Sequence, residues 1–347
     1  MRILLLPFTW IYSIIIAIRN FFYDAGWLRS FRYDFPVICV GNLNTGGTGK
    51  TPHLIYIAGL LQNEWKGAVI SRGYKRRTSG FVISTINSLV KDIGDEPKLI
   101  KQKMPQLEVA VCENRFIGIS TLLQEVNGLE YILMDDGFQH RKVKAGYNII
   151  ITAYNDLFID DKVLPAGNLR EPATSLRRAD TIIISKCPPE MPKREASELR
   201  TRLQLLPQHK LFFTTLQYQS LRPLFPAWQN KKLPATNKCL LISGIASDKH
   251  ITAFLKQQYH FIERIPFADH HYYSEKDLQL IQQKTTDNKI VITTEKDAVR
   301  LMEQEALILK MDIHFYVLPV AVSFLFDAEN EFAFELKDYI HREFATL

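Results

Sequence analysis

The sequence contains the glycine-rich stretch Asn44-Thr45-Gly46-Gly47-Thr48-Gly49-Lys50-Thr51. Residues 36–41 before it form an apolar run bounded by Pro and Gly, which predicts a buried strand. Apolar residues return at helical spacing over residues 53–61. A glycine-rich turn from strand to helix points several backbone N–H groups at one anion, and the helix dipole adds to the attraction. The stretch therefore predicts a nucleoside triphosphate site, with Lys50 on the outer phosphates and Thr51 on Mg²⁺.

The strict phosphate-loop pattern, G-x-x-x-x-G-K-[ST], has glycine where this chain has Asn44. An ordinary glycine turn is therefore the alternative interpretation, and the flanking strand and helix favour the phosphate loop. The candidate cofactor-binding residues are Asn44, Thr45, Gly46, Gly47, Thr48, Gly49, Lys50 and Thr51.

Length and composition limit the possible classes of protein. At 347 residues, of which 46% are hydrophobic, the chain is long enough for two domains with sizeable cores. The net charge of +6 fits an anionic ligand or anionic lipid but is too weak to indicate nucleic acid. The four cysteines stand far apart without a C-x-x-C pair, which argues against a disulfide framework or a zinc site and favours a reducing cytoplasm.

The N-terminal residues 3–18 are almost wholly apolar, but this run is short for a spanning helix, which needs about 20 apolar residues. A helix turning 100° per residue gathers its polar residues into one narrow stripe. This pattern favours a helix lying in a membrane interface, while a helix buried in the protein core is the alternative. The residues of the stripe are Arg2, Thr9, Ser13, Asn20 and Asp24.

Continuous apolar runs alternate with helical patterns through the first half of the chain, which predicts an α/β fold with a mostly parallel sheet. Residues 212–225 alternate apolar and polar in part and lead into a stretch rich in proline and lysine. A second α/β unit follows. The predicted organisation is an N-terminal hydrophobic, membrane-associated helix (1–30), a phosphate-loop domain (31–211), a linker (212–237) and a smaller C-terminal α/β domain (238–347).

Two neighbouring carboxylates follow a predicted strand, the position from which side chains could bind Mg²⁺ beside the glycine-rich loop. Asp135 and Asp136 end an apolar strand-like run, so they could hold Mg²⁺ opposite Thr51, although a simple turn is the alternative. Asp95 precedes a probable helix and could be catalytic or a helix N-cap. His270 has His271 beside it, and adjacent histidines cannot share one face, so a two-histidine metal site is disfavoured.

Four cations, Arg72, Lys75, Arg76 and Arg77, follow one predicted strand. Further arginines are Arg115, Arg170, Arg177 and Arg178. Arginines at strand ends could clamp a phosphorylated substrate, or the charges could form an ordinary solvated face.

Taken together, the motifs resemble the tetraacyldisaccharide 4′-kinases, the lipid A 4′-kinases of Gram-negative bacteria. The resemblance runs along nearly the whole chain, and its ordered set of motifs is far more specific than one phosphate loop. The matching segments are Leu6-Pro7-Phe8, Arg19-Asn20, Tyr23-Asp24, Val40-Gly41-Asn42-Leu43, Gly46-Gly47-Thr48-Gly49-Lys50-Thr51-Pro52, Ser71-Arg72-Gly73-Tyr74, Gly94-Asp95-Glu96-Pro97, Asp135-Asp136-Gly137-Phe138-Gln139-His140-Arg141, Leu164-Pro165-Ala166-Gly167-Asn168-Leu169-Arg170-Glu171-Pro172, Ala268-Asp269-His270 and Thr293-Thr294-Glu295-Lys296-Asp297-Ala298.

The resemblance implies an ATP- and Mg²⁺-dependent phosphoryl transfer to the 4′-hydroxyl of a tetraacylated glucosamine disaccharide 1-phosphate. It also implies two α/β/α sandwich domains, the first like a P-loop NTPase, joined by a short two-stranded linker with the active site in the cleft between them. The implied location is the cytoplasmic face of the bacterial inner membrane, with the protein peripheral or monotopic. The implied partners are the lipid A disaccharide 1-phosphate and the membrane lipid surface, with no nucleic acid and no obligatory protein partner.

The family's site residues carry over onto matching positions of this chain. Lys50 and Thr51 are implied as phosphate and Mg²⁺ contacts. The implied Mg²⁺-binding acids are Asp135 and Asp136. Asp95 is implied as the residue that takes the hydroxyl proton, with His270 orienting it, and the neighbouring His271 leaves open which histidine acts.

A nucleotide-switch ATPase or GTPase that binds a protein or membrane partner is the competing hypothesis. The partition and delivery ATPases of that class carry a lysine where this chain has Thr45. The guanine-recognition pattern N-K-x-D is also missing, because Glu295-Lys296-Asp297 lacks its spacing. Both observations favour the kinase.

Overall fold

The protein is described by a computed structural model that covers residues 5–230, 233, 235–285 and 289–345. Two sheets with helices packed on them form two α/β units, so the predicted fold class is confirmed. The helices are α1 (Leu6–Asp24), α2 (Lys50–Leu61), α3 (Val90–Ile93), α4 (Asp95–Lys103), α5 (Arg115–Glu125), α6 (Lys193–Arg202), α7 (Lys249–Leu255), α8 (Glu275–Lys284), α9 (Glu295–Leu301), α10 (Glu305–Lys310) and α11 (Glu329–Ala345).

The larger sheet has nine strands in the part of the chain that the structure describes, and its spatial order is β14-β8-β7-β6-β1-β5-β2-β4-β3. All neighbouring pairs are parallel except the two outermost pairs, β14 with β8 and β3 with β4. The strands are β1 (Val37–Gly41), β2 (Gly67–Ser71), β3 (Val82–Ile83), β4 (Glu108–Val111), β5 (Tyr131–Asp135), β6 (Tyr147–Ala153), β7 (Thr181–Ser185), β8 (Lys210–Tyr218) and β14 (Val320–Phe324).

Helices cover both faces of this sheet, which is why its inner strands are continuously apolar. On one face, Leu54 of α2 and Phe332 of α11 belong to a buried apolar cluster with Val40 of β1. On the other face, Ile119 of α5 packs in a second cluster with Cys39 of β1. The two clusters fix β1 in the centre of the sheet, and the loop after β1 emerges at the carboxyl edge of the parallel strands, where ligands bind in such folds.

The smaller sheet has the order β11-β10-β12-β13-β9 and is parallel except for β9. Its core includes Leu240, Val291 and Phe315 from three neighbouring strands. The strands are β9 (Arg222–Pro223), β10 (Lys238–Ser243), β11 (Phe261–Pro266), β12 (Ile290–Thr294) and β13 (Phe315–Leu318).

The observed boundaries differ from the predicted ones. Most of β8, assigned to a linker at 212–237, is an inner strand of the larger sheet between β7 and β14. The edge strand β14 pairs with it from Val320↔Tyr218 to Phe324↔Thr214. The chain then returns to the first unit, because α11 buries Phe332 and Leu336 there rather than in the predicted 238–347 domain. Two strands do connect the units, as the fold class predicted, but they belong to the larger sheet. Residues 231, 232 and 234 of the predicted linker lie outside the described residues.

Helix α1 lies within the predicted 1–30 segment and begins with a proline in its first turn, where the missing N–H costs nothing. Thr9, Ile16 and Asn20 are its buried residues, so the polar stripe faces the protein; Arg2 lies outside the described residues. The alternative of a core helix is wrong, because most of the helix surface is exposed. The exposed apolar face consists of Phe8, Trp10, Ile11, Ile14, Ile15, Ile18 and Phe21.

Among the described helices, α1 is the one long and apolar enough to cross a membrane. Its length and composition alone do not separate a spanning helix from an interfacial one.

Candidate active site

The glycine-rich loop connects β1 to α2, as its sequence predicts. Gly49 is the N-cap of α2 with φ +84°, and Gly46 has φ +109°. Backbone in this left-handed region is strained for residues with a side chain, so both positions require glycine. The loop folds onto Asn42, whose Oδ1 accepts a hydrogen bond from Lys50 Nζ at 3.0 Å and whose Nδ2 donates to Gly46 O at 3.3 Å. Asn42 therefore holds Lys50 at the mouth of the loop.

A buried histidine fastens the same loop to β8. His53 Nδ1 lies 2.7 Å from Gly49 O, and its Nε2 lies 2.9 Å from Thr214 Oγ1. A carbonyl oxygen can only accept, so Nδ1 donates and Nε2 receives the threonine proton. Burial lowers the pKa of His53 to about 4, so the imidazole stays neutral at pH 7 and keeps this arrangement.

The two carboxylates at the end of β5 have opposite environments. Asp135 is buried and accepts a hydrogen bond from Ser71 Oγ at 2.8 Å. Burial, then the charges of Glu96 and Asp136, raise the pKa of Asp135 to about 7. Burial also raises the pKa of Asp136, but the charges of Lys50 and Arg170 outweigh it and bring that pKa to about 2.

These residues form an acidic site with an oxygen atom available to coordinate a cation. Asp136 Oδ1 is buried without a hydrogen-bond partner, and its nearest cation is Lys50 Nζ at 3.4 Å. Thr51 lines the same cavity as both carboxylates. The described residues contain no group of three or more His, Cys, Asp or Glu side chains that could enclose a metal by themselves. The donor set therefore suits Mg²⁺ shared with phosphate oxygens, the usual manner in nucleotide sites.

A second pair of side chains meets across the two units. Asp95, at the start of α4, is 3% exposed. His270 follows β11 in a turn where its own φ is +63°. His270 Nδ1 lies 2.7 Å from Asp95 Oδ2. Burial raises the pKa of Asp95, but the hydrogen bond from His270 and the charges of Lys296, His270 and Arg300 outweigh it and lower that pKa overall. Asp95 is thus an ionised carboxylate whose position depends on both units.

His271 points elsewhere. Its Nε2 contacts Asp277 Oδ2 at 3.0 Å, and its ring stacks on Phe267 with centroids 4.6 Å apart. Asp277 in turn completes the capping box that begins α8 with Ser274. His271 therefore stabilises the second unit, and of the two candidate histidines only His270 reaches Asp95.

Lys296, at the start of α9, is the cation that joins these groups. Its Nζ lies 3.1 Å from Glu96 Oε1, 3.3 Å from His270 Nε2 and 3.9 Å from Asp95 Oδ2. An ammonium group only donates, so in the neutral form of His270 the Nε2 atom accepts from Lys296 and the proton sits on Nδ1; Asp269 Oδ2 lies farther from Nε2, at 3.5 Å. Lys296 therefore selects the tautomer that donates to Asp95. Our sequence reasoning assigned this lysine no role, and the one signal for it was its place in a shared motif.

The candidate arginines take different positions. Arg170 Nη1 donates to Asp136 Oδ2 at 2.7 Å, and buried Arg115 donates to the Asp135 carbonyl at 3.0 Å. Arg72 lines the cavity. Arg177 and Arg178 instead pair with carboxylates near α1, Asp24 and Glu171. Arg72, Arg115 and Arg170 therefore all line the cavity, and the last two also hold the end of β5, whereas Arg177 and Arg178 fix the surroundings of α1.

A cavity of about 780 Å³ unites these groups. The glycine-rich loop, Asp135 and Asp136 line it from the first unit, while His270 and Lys296 line it from the second. The site therefore lies in the cleft between the units, with its nucleotide-binding features on one side.

Comparison with known proteins gives one consistent result. The family model described as Tetraacyldisaccharide-1-P 4′-kinase matches residues 1–341. A tetraacyldisaccharide 4′-kinase of Bacteroides fragilis is 41% identical over 347 residues, covering 97% of this chain and 92% of the relative. Another from Flavobacterium johnsoniae is 41% identical over 334 residues, covering 95% of each chain.

One solved structure is similar over its whole length. It is the crystal structure of the "apo" form of LpxK from Aquifex aeolicus in complex with ATP, with a TM-score of 0.74 and 29% identity. The match covers 99% of both chains. The likeness extends to both α/β units and the segments between them.

Proposed function

This chain belongs to the tetraacyldisaccharide-1-P 4′-kinase family, and from that premise we propose how its residues carry out the reaction. The protein is an ATP-dependent kinase that transfers the γ-phosphate to the 4′-hydroxyl of tetraacyldisaccharide 1-phosphate in lipid A biosynthesis. The observation that carries the assignment of roles is the cleft itself. The phosphate loop of the first unit lines this cleft together with His270 and Lys296 of the second unit, and His270 Nδ1 lies 2.7 Å from Asp95 Oδ2.

The glycine-rich loop and Lys50 bind and orient the ATP phosphates. The backbone N–H groups between Gly46 and Thr51 surround the anion at the N-terminus of α2, and Lys50 adds a full charge beside the outer phosphates. Asn42 and Asp136 keep the lysine from turning into solvent. Because the transferred group gathers charge on its oxygens, this fixed cation acts on the transition state.

Thr51, Asp135 and Asp136 are the residues that would hold Mg²⁺. When bound, Mg²⁺ neutralises charge on the phosphate oxygens. Arg170 and Ser71 orient the two carboxylates through the hydrogen bonds described above, so the protein sets their positions before ATP arrives.

Asp95 takes the proton of the acceptor hydroxyl. The hydroxyl oxygen forms a bond to the γ-phosphorus as the bond from that phosphorus to the β–γ bridging oxygen breaks, and ADP leaves. The proton moves to an oxygen of Asp95. His270 donates to Oδ2, while the backbone N–H of Glu96 donates to Oδ1 at 2.9 Å. These two donors fix the plane of the carboxylate, which a base within hydrogen-bond reach requires.

Replacing Lys296 with Met should lower kcat by about 10- to 100-fold, since a lost charge-assisted hydrogen bond is worth about 1.5–3 kcal/mol. The reason is that His270 could then adopt the other tautomer and stop donating to Asp95. We would measure kcat and the ¹⁵N shifts of His270 together. The control is Lys276→Met, at an exposed lysine of α8. A wild-type kcat in Lys296→Met would contradict the role of Lys296 in selecting the tautomer.

We further propose that α1 attaches the protein to the cytoplasmic face of the inner membrane. Its exposed face carries Trp10 at 72% and Ile14 at 55% exposure, which is costly in water and favourable among acyl chains. Three residues of the polar stripe, Thr9, Asn20 and Asp24, contact the protein, so the helix lies on the surface of the first unit. This supports a peripheral or monotopic attachment, beside a cavity that receives an acylated substrate.

Substituting Ile11, Ile14 and Ile18 together with Ser should reduce co-flotation with anionic phospholipid vesicles by at least about tenfold, because three large apolar side chains no longer enter the bilayer. The matched control replaces Leu280 and Leu309, exposed leucines of the second unit, with Ser, and its co-flotation should equal that of the wild type. If the triple variant floats as fully as the wild type, α1 is not the attachment surface.

The acceptor dependence of ATP turnover separates the kinase from a nucleotide switch. We expect ADP release by the purified full chain to need tetraacyldisaccharide 1-phosphate, with one ADP formed per phosphorylated acceptor. Rapid hydrolysis of ATP without any acceptor, unchanged on adding it, would contradict the kinase assignment.

A further inference from the structure

Helix α1 is bound to two chain segments that contact the residues of the nucleotide site. Its Tyr12 hydroxyl donates to the Arg170 carbonyl at 3.1 Å. Its Arg19 Nη2 donates to the Gln139 carbonyl at 2.7 Å. A helix that served only as a membrane anchor would need its apolar face alone, so these polar contacts require another explanation.

Arg19 also reaches a carboxylate that the protein has buried completely. The Glu171 side chain has no exposed surface, and its two oxygens pair with Arg19 at 3.4 Å and with Arg178. Burying a carboxylate is costly unless cations and hydrogen bonds compensate it. Glu171 therefore ties α1 firmly to the chain segment that contains Arg170.

The same two segments hold the groups that act on ATP. Arg170 donates to Asp136 Oδ2 at 2.7 Å. Gln139 Nε2 donates to the Asn42 carbonyl at 2.9 Å, and the Asn42 side chain holds Lys50. A continuous set of hydrogen bonds thus runs from Arg19 to both charged residues of the phosphate site.

We propose that α1 is a positioning element for phosphoryl transfer, and that Arg19 is its positioning residue, acting through Gln139 and the Arg170–Glu171 segment on Asp136 and Lys50. This inference rests on the proposed kinase function but is separate from membrane attachment. The role belongs to the chemical step, because Arg19 lines the cleft cavity and its contacts lead to Gln139 and Glu171 beside the phosphate site.

The test measures kinetics in micelles of a non-ionic detergent, where attachment to a bilayer no longer matters. Arg19→Met should lower kcat by at least about tenfold, the size of effect seen when partners of metal-binding groups are lost, while KM for ATP changes by less than about threefold. Arg19→Lys, which keeps the charge, should recover part of the loss. Vesicle flotation of Arg19→Met should match the wild type.

The matched control is Arg32→Met, which removes an arginine of the same region that pairs with Glu343 at the surface. Its kcat should stay within about twofold of the wild type. A wild-type kcat for Arg19→Met, or an equal loss in Arg32→Met, would overturn the proposal. Should Arg19→Met fail to fold, Tyr12→Phe removes one hydroxyl from the same set of contacts. We expect Tyr12→Phe to lower kcat about threefold. An unchanged kcat in Tyr12→Phe would also overturn the proposal.

Hydrogen exchange gives a readout that does not depend on turnover. In Arg19→Met, amides of residues 136–141 and 168–171 should exchange faster, while those of α8 should not change. Unchanged exchange of the two segments in Arg19→Met would contradict the coupling, whether or not the wild type phosphorylates the acceptor. If Arg19→Met shows the expected faster exchange but the wild type has no kinase activity, only the proposed function is contradicted.

Discussion

Lys50→Ala should lose at least about 100-fold in kcat while the protein stays folded. The lysine is held by Asn42 at 3.0 Å and Asp136 at 3.4 Å, at the mouth of the phosphate loop. Removing one preorganised charge from a site where transition-state charge develops costs about 10²–10³ in other enzymes. Single-turnover rates at saturating ATP would measure the loss, with circular dichroism as the check on folding.

The control for this change is Lys66→Ala, at a lysine of the same unit whose ammonium donates to the Asn127 carbonyl on the surface. We expect its kcat to equal that of the wild type. Near-normal turnover in Lys50→Ala would mean that the glycine-rich loop does not bind the transferring phosphate.

Asp95 and His270 should behave as one unit across the cleft. Each single change to Ala should lower kcat by about 10²–10⁴, the usual contribution of a general base, and alter ATP affinity much less. The double variant should be scarcely slower than the worse single variant, because removing either residue already disables the pair. A double-mutant cycle on kcat measures this coupling.

His271→Ala is the matched control, since that histidine is adjacent in sequence but contacts Asp277 within its own unit. Its kcat should stay close to that of the wild type. Fully multiplicative losses for Asp95 and His270 would show that they act independently, and a severe loss in His271→Ala alone would assign the role to the other histidine.

The phosphate loop could be predicted from the sequence because its determinants are local. Gly46 and Gly49 are needed where the backbone enters the left-handed region, and the strand and helix on either side follow from periodicity within a few residues. Asp135 and Asp136 could be placed for the same reason, as carboxylates at the end of a buried strand. Local patterns therefore located one side of the cleft.

The other side of the cleft could not be derived from local patterns. Asp95 and His270 are 175 positions apart, and by itself the turn before α4 reads equally well as a helix cap. In the structure the N-cap is Gly94, and Asp95 is the first helical residue, turned towards the second unit. The pairing was available from the family resemblance alone, and Lys296 was not assigned a role at all.

The return of the chain to the first unit was also hidden from the sequence. The apolar residues of α11, such as Phe332 and Leu336, show that the helix is amphipathic but not which sheet it covers. For α1 the pattern identified the polar stripe correctly and favoured a membrane interface. It did not reveal that Tyr12 and Arg19, outside the stripe, also bind the first unit.

The most direct test of the account is to determine where the phosphate goes. Purified full-length protein would be incubated with ATP, Mg²⁺ and tetraacyldisaccharide 1-phosphate, and the product examined by mass spectrometry and ³¹P NMR. We predict the gain of one phosphate, placed on the 4′-oxygen, in equal amount to the ADP released. ADP formed without a phosphorylated lipid, or a phosphate placed on any other oxygen, would contradict the central claim.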